Sequence, residues 1–509
     1  IETYCSGICC YREDVQQEAI LASGENRENV TIERLSDDTI RVFYGEMVSL
    51  EIGRPYSADA EEIGDKYTVV INNGIEDISY GFRAEIDGCS ISVTADIPIS
   101  ANTKSVSKYS SKEIFLVSDE NWTNVLPFIP VTTWTEGSTI IKHPTLIYHD
   151  ESSSFDADSI IYFMQQYSPS SVTIIGPTPQ ELDNKLIESQ LGGAGLLEEN
   201  IKRIDVDEHL FYWDSFDTLV YVEDDYELAI LASTYASLIN APLIIEGTSW
   251  DLEEFFSGRN VICVGSVSPT GGSCSEEYTL ELLQQEYKTQ TGTDKVILIN
   301  PDDWTAKVSS SLETEKSGYI YDLYSKTSLS APILASAKHE LILSTTETDY
   351  LNIDAFIEPQ LSGMNYLTII ADFDLIPNED FHATAGEYDY SWALDPSHYA
   401  DITGDNEPDV AVGRIAGLST SDVSSYMARS IFYNSFTKTN NMKFIASSFS
   451  GSLATMAERM SAIFLGAGYN SVAATSPEEN YHFDPIEWEN QDLIFYVDHG
   501  ASSWAGISY

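Results

Sequence analysis

A chain of 509 residues is long enough for about three domains, each burying its own core. An apolar share of 43%, with 30 Tyr, 20 Phe and 8 Trp, separates it from disordered, solvating sequences. Against 81 Asp and Glu stand only 26 Lys and Arg, and the formal charge of −55 excludes nucleic-acid binding, attracts Ca²⁺ and other cations, and suits high salt, where self-repulsion is screened.

No apolar run of about 18 residues occurs, so no membrane span is expected. The chain opens at Ile1 with no basic stretch followed by an apolar one, which reads as an already processed product. Six cysteines, Cys5, Cys9, Cys10, Cys89, Cys263 and Cys274, include no C-x-x-C pair, so zinc and redox motifs are unsupported. Their even number fits disulfides in an oxidising, extracellular or cell-surface setting. Cys263 and Cys274 are spaced to allow a short loop and the Cys5/Cys9/Cys10 cluster is within reach of Cys89, but the sequence does not fix the connectivity. The sequons Asn29-Val-Thr31 and Asn121-Trp-Thr123 permit glycosylation of a secreted chain.

Residues 1–110 read as a small β-sandwich. Thr39–Tyr44, Tyr67–Ile71 and Ser90–Ala95 alternate between Gly, Asn and Asp turns, and a Ser-rich linker follows at 105–112. Residues 111–290 read as α/β, and a repeat appears. Its copies open at Ile114-Phe-Leu-Val-Ser-Asp-Glu-Asn-Trp122, Thr218-Leu-Val-Tyr-Val-Glu-Asp-Asp-Tyr226 and Val296-Ile-Leu-Ile-Asn-Pro-Asp-Asp-Trp304. Each is an apolar strand, then an acidic cap with an aromatic residue, then a helical stretch. A second strand follows, announced by Pro, at His143–Ile147, Asn240–Ile245 and Ser330–Leu334. Acidic residues there suit a helix N-terminus. Ser171–Gly176 and Asn260–Gly265 are further strands ending in glycine, as βα turns do. Alternating strands and helices imply parallel sheets covered by helices. The absence of G-x-G-x-x-G and Walker patterns argues against a nucleotide site. The acidic-aromatic cap and the Asn240-Ala-Pro-Leu run resemble the Rossmann-like modules of surface proteins that carry cell-wall-binding repeats.

Residues 291–365 form a further α/β unit, and the densest chemistry begins at Tyr366-Leu-Thr-Ile-Ile-Ala-Asp-Phe-Asp-Leu-Ile-Pro377. Acidic residues crowd Asp395–Asp409, where Gly404 permits a sharp turn. Asp401, Asp405, Glu407 and Asp409 make an oxygen-rich set of the kind Ca²⁺ selects, without the EF-hand spacing. The strand Val410–Ile415 brings Arg414 beside these carboxylates, where a salt bridge is the expected role. A helix capped at Thr420, a strand at Lys443–Phe449, a helix at Leu453–Leu465 and a strand at Asp492–Val497 complete a doubly wound sheet over residues 366–509.

Four segments in order resemble the gingipain-type cysteine peptidases, relatives of caspases, legumain and clostripain. They are Leu367–Pro377, Asp395–Asp401, Gly404–Ile415 and Val497-Asp-His-Gly-Ala-Ser-Ser-Trp504. The resemblance implies a caspase-like α/β fold, with 291–365 as the first, non-catalytic subdomain. It makes His499 the catalytic histidine, which poises a cysteine thiol and protonates the leaving amine. Gly500 then supplies an oxyanion-hole amide. Glu387, or Asp389, orients His499. Asp395 and Trp504 line the substrate site, with Asp395 favouring Arg or Lys at P1.

One departure is large. In the family the nucleophilic cysteine follows the His-Gly, by about 50 residues in caspases, whereas all six cysteines here precede His499. The nucleophile is therefore expected beyond Tyr509, in a longer chain or on a Cys-bearing C-terminal fragment. The expected substrate is a protein or peptide. The other reading is a non-catalytic, Ca²⁺-binding surface or filament-forming protein that self-associates through the same fold.

Overall fold

The computed structural model describes residues 102–497 apart from 138, 152–153, 157, 177–195, 307, 311–320, 378, 382–383, 386–387, 390–392, 396, 404–407, 418, 437, 447–450 and 476–490, with strand segments on either side. In the first hundred residues the chain forms two antiparallel sheets. One joins Gln16–Ser23, Asn26–Arg34, Thr39–Tyr44 and Val48–Gly53; the other joins Asp65–Asn72, Asp77–Asp87 and Ser90–Thr94.

From Glu113 the chain builds one topology three times. The first sheet contains β1 (Glu113–Ser118), β2 (Thr145–Glu151), β3 (Ser171–Ile175) and β4 (Ile201–Ile204). The second contains β5 (Thr218–Val222), β6 (Leu243–Ile245), β7 (Asn260–Val264) and β8 (Cys274–Tyr278). The third contains β9 (Lys295–Ile299), β10 (Leu341–Ser344), β11 (Tyr366–Ile370) and β12 (Ala411–Ile415). In every sheet the spatial order is second–first–third–fourth and these strands run parallel; a short antiparallel strand, Ser154–Asp156, extends the first sheet beyond β2. Parallel strands covered on both faces need apolar residues at every position, which is why β1, β5 and β9, inside their sheets, carry unbroken apolar runs, whereas β4 and β8 at the sheet edges carry exposed charged residues.

The expected repeat is thus real, with one change in its third copy. Ser330–Leu334, expected as a strand, instead opens a helix over Ala331–Lys338, and the strand β10 comes after it. Pro332 sits in the helix's first turn, where its missing N–H costs nothing.

The described helices sort by position. α1 (Asp158–Tyr167) covers the first sheet, α2 (Tyr226–Leu238) follows β5, α3 (Leu280–Thr291) follows β8 and α4 (Ala331–Lys338) precedes β10. α2 is buried from Ala229 through Ser237, and α4 from Ala331 through Ala337. Helices buried all round lie inside a core. α2 packs against both α4 and the short helical turn Ile129–Thr132 of the first module, so one apolar core joins Val117, Ile129, Val220, Ile230, Leu298 and Leu334 across all three modules.

Each module is completed by the one before it in the ring. The segment following a module's fourth strand lies along the second strand of the next, which presents open backbone at the sheet edge. After β4, the turn Val206–Tyr212 sets His209 Nε2 3.1 Å from the Leu243 carbonyl of β6. After β8, α3 places Gln284 Nε2 to donate to the Ile342 carbonyl of β10 at 3.0 Å. After β12, α6 (Thr420–Ile431) returns to the first module, where Ser421 Oγ accepts the His149 N–H and Ser424 Oγ accepts the Ile147 N–H of β2, at 2.8 and 3.0 Å; the intervening helix α5 (Tyr350–Ile357) stays within the third module.

A fourth, shorter sheet follows. β13 (Asn441–Ala446), α7 (Gly451–Gly466), β14 (Asn470–Thr475) and β15 (Leu493–Val497) form a parallel sheet in the order β14-β13-β15, with α7 packed on Met442, Phe444 and Phe495. This corrects the expectation of one doubly wound sheet over residues 366–509 and of a boundary at 365/366. Tyr366 of β11 pairs with Lys295 on one side and Ala411 on the other, so β11 and β12 complete the third module. A break there would cut a hydrogen-bonded sheet and its shared core. The acidic stretch between β11 and β12 interrupts the apolar pattern and hides their pairing.

Candidate functional site

The three acidic-aromatic caps do the same local job. Asn121 Oδ1 accepts the Thr123 N–H at 3.1 Å, Asp225 accepts the Leu228 N–H at 2.9 Å, and Asn300 accepts the Asp302 N–H at 3.0 Å. Each satisfies a donor left over at a helix start. The aromatics that follow meet one another: Trp122 to Tyr226 is 5.6 Å and Tyr226 to Trp304 is 5.4 Å between ring centres. The carboxyl ends of β1, β5 and β9 therefore converge on one point.

Beneath these rings lies a buried polar hub. Asp119, fully buried, accepts hydrogen bonds from Thr420 Oγ1 at 2.6 Å and pairs with His149 Nδ1 at 2.7 Å, and Lys326 Nζ stands 3.6 Å from its other oxygen. Lys326 also donates to the Asp119 carbonyl at 2.9 Å and lies over the Trp304 ring. Burial by itself would raise the Asp119 carboxyl, but the His149 hydrogen bond and charge, Lys326 and Thr420 outweigh it and hold the group below its usual value. A second carboxylate, Asp303, accepts Ser328 N–H and Oγ–H at 2.7 and 2.5 Å and Thr327 Oγ–H at 3.2 Å, while Tyr226 Oη lies 2.8 Å from Ser328 Oγ. Here burial wins: it pushes Asp303 up to about 6 in spite of the bonds from Ser328 and Thr327. In the sequence Asp119 and Asp303 read only as cap residues; nothing there points to His149, Lys326 and Thr420 as partners of Asp119, or to Thr327 and Ser328 as partners of Asp303.

Open parallel sheets bind ligands where the strand order reverses, at the carboxyl ends of the first and third strands. In the second and third modules that crevice is bridged by the protein's own side chains. Glu223, just past β5, accepts the Ser266 N–H past β7 at 2.8 Å, and a Cβ on Gly265 would strike the same carboxylate. Asn300, just past β9, donates to the Leu375 carbonyl beyond β11 at 3.2 Å. Arg414, expected to join a salt bridge, donates to the Ala371 carbonyl at 3.1 Å and stacks on Phe373, 4.6 Å away. Burial lowers it to about 10 even though Tyr399 and Asp372 favour its charge.

The fourth sheet has the same kind of reversal between β13 and β15, where Ala446 pairs with Val497. His499 follows β15 by two residues, and both it and Glu387 lie outside the described residues. Gly500 and Ala501 form a short strand antiparallel to Trp504–Ala505, with Gly500 opposite Ala505 and Ala501 opposite Trp504. Asp395 lies on Ala393–Asp395, opposite Glu379. Asp389 lies on the two-residue strand Tyr388–Asp389.

Of the acidic loop, Asp405 and Glu407 lie outside the described residues. Asp401 is half-buried, and the exposed Asp409 carboxylate accepts the N–H groups of Ile402 and Thr403, both at 2.9 Å, which closes the loop on itself. Among the described residues no three acidic, His or Cys side chains are grouped to hold a metal. Cys263 and Cys274 form a disulfide joining β7 to β8, and the other four cysteines lie outside the described residues. Among the described residues no helix is long and apolar enough to cross a membrane.

No family model matches the sequence, and no curated protein matches it. Among solved structures the chain is similar to Cwp8 from Clostridium difficile, at 12% identity over 71% of this chain and 83% of that one, with a TM-score of 0.34. At that TM-score the likeness carries nothing about function.

Proposed function

We propose that the chain is a secreted or cell-surface cysteine endopeptidase of gingipain type, in which the three modules are scaffold and the fourth sheet carries the chemistry. The observation behind this reading is the parallel order β14-β13-β15. The third strand of that sheet in sequence lies beside the first, and its carboxyl end leads straight into Asp498-His499-Gly500, where α/β sheets hold their ligands. His499 is the general acid and base for a cysteine thiol, and the Gly500 N–H is an oxyanion donor. Trp504, opposite Ala501, is a substrate contact, Asp395 favours a basic P1 residue, and Glu387 orients His499. The nucleophile is assigned to sequence following Tyr509, and the substrate is a protein or peptide. The disulfide supports an oxidising, extracellular setting.

The second reading, a non-catalytic surface or filament-forming protein, draws on the bridged crevices of the second and third modules. In either reading Asp401, Asp405, Glu407 and Asp409 are assigned to Ca²⁺.

The test uses the full-length natural protein and peptide substrates with Arg or Lys at P1. Changing His499 to Ala is expected to lower turnover by about 10²–10⁴-fold. Unchanged turnover, or no cysteine encoded after His499, removes the peptidase reading in favour of the second.

A further inference from the structure

The outer face of the first sheet is not covered by its own module alone. Ile114, Leu116, Leu146, Tyr148, Val172 and Ile174 point away from the central core and are all buried. α1 covers part of this face through Phe163, Met164 and Tyr167, and Ala428 and Phe432, at the end of α6 and just beyond it, join the same cluster. Phe432 and Phe436 stand edge-on to Tyr167 and Phe163, with ring centres 5.6 and 5.9 Å apart respectively.

The polar half of this contact is equally built. Thr420 reaches the Asp119 carboxylate, Ser421 and Ser424 take the open N–H groups of β2, and Asp422 accepts from Ser159 Oγ at the start of α1. Hydroxyls suit this role because a sheet edge offers unpaired N–H and C=O groups that apolar side chains would leave unsatisfied. On the other side of α6, Val423 and Met427 join the central core. β13 begins at Asn441, a few residues after Phe436, so the fourth sheet follows directly from this contact.

We infer that residues 420–436 are the anchor by which the fourth sheet is held, non-covalently, to the first module some 270 residues earlier in sequence. The chain connection through the third module, at 416–419, is then dispensable for holding the two parts together once the ring has closed. A Cβ on Gly417 would lie 2.8 Å from Asp422 Cβ, so Gly417 is retained when that connection is altered. This inference concerns where the C-terminal part is held and stands whether or not that part is catalytic.

The experiment inserts a protease recognition sequence between Ile415 and Thr420 of the full chain, confirms an unchanged circular-dichroism spectrum, and cuts the folded protein. The two pieces are expected to co-elute on gel filtration with light scattering at the mass of the uncut chain. Separation overturns the inference. The double change Ser424→Asp and Phe432→Asp, placing a carboxylate against the β2 edge and another in the apolar cover, is expected to weaken the association of the cut pieces on the order of a hundredfold. An affinity between the cut pieces that the double change leaves unaltered, measured by titration, places the hold elsewhere and also overturns it. Hydrogen exchange in the cut parent protein gives a reading that needs no variant to fold. The Ile147 and His149 amides stay protected if α6 remains seated, and their rapid exchange refutes the anchor.

Discussion

Asp119 and Thr420 are separated by 301 positions in sequence and by 2.6 Å in space. The carboxylate closes the ring by receiving the first hydroxyl of α6, at the helix end where the backbone dipole favours negative charge. Around it His149 and Lys326 supply further donors, so the acid is buried without being left uncompensated.

Thr420→Val keeps the shape and removes one hydrogen bond to a buried carboxylate. The expected loss is about 1.5–3 kcal/mol, read as a lower denaturant midpoint with an unchanged slope. Exchange should rise together in α6 and β2. A loss confined to α6 would mean that the two elements do not open as a unit.

Two buried groups give opposing pH dependences. Asp303, raised to about 6 in the fold, binds more protons folded than unfolded between about pH 4 and 6, so its contribution to stability falls as pH rises through that window. His209, lowered by burial to about 4, binds fewer protons folded than unfolded between about pH 4 and 6.5, so its contribution rises with pH. Each is worth roughly 3 kcal/mol at its limit, and between pH 4 and 6 they largely cancel. Relative to the parent, Asp303→Asn should lose stability more steeply on acidification, and His209→Gln should lose less. Chemical denaturation at pH 4.5 and 7 measures both differences, and equal slopes in the two variants would contradict the assignment.

β8 is a strand with little apolar cover: Ser275, Glu276 and Glu277 are exposed, and Cys274 ties it to β7. Cys274→Ser is expected to cost about 3 kcal/mol for a loop of this length. The loss should appear first as rapid exchange across β8. Because β8 carries charged residues on an open edge, no aggregation is expected to follow.

Calcium should raise the melting temperature of chelator-treated protein, and Asp405→Asn should remove most of that rise. An identical melting curve with and without Ca²⁺ would leave Asp409 as the residue that closes the loop and nothing more.

Much of the scaffold was legible in sequence because parallel strands buried on both faces leave unbroken apolar runs, as Ile114–Val117, Leu219–Val222 and Val296–Ile299 do. The first two caps were legible because Asn121 and Asp225 stand directly before an aromatic residue, whereas the third copy is capped by Asn300, four residues before Trp304. The third copy misled at Ala331-Pro332, since a proline marks the start of a helix as readily as the approach to a strand.

Sequence by itself determined the charge, the repeat, the alternation of strands and helices, and the place of His499 directly after an apolar strand. Tertiary structure alone decided that β11 and β12 belong with β9, that Cys263 pairs with Cys274, and that α6 completes the first module. Local periodicity records which residues are buried but not what buries them. Ser421 and Ser424 carry no apolar signal at all, and their role exists only because the open edge of β2, some 270 residues upstream, lies against them.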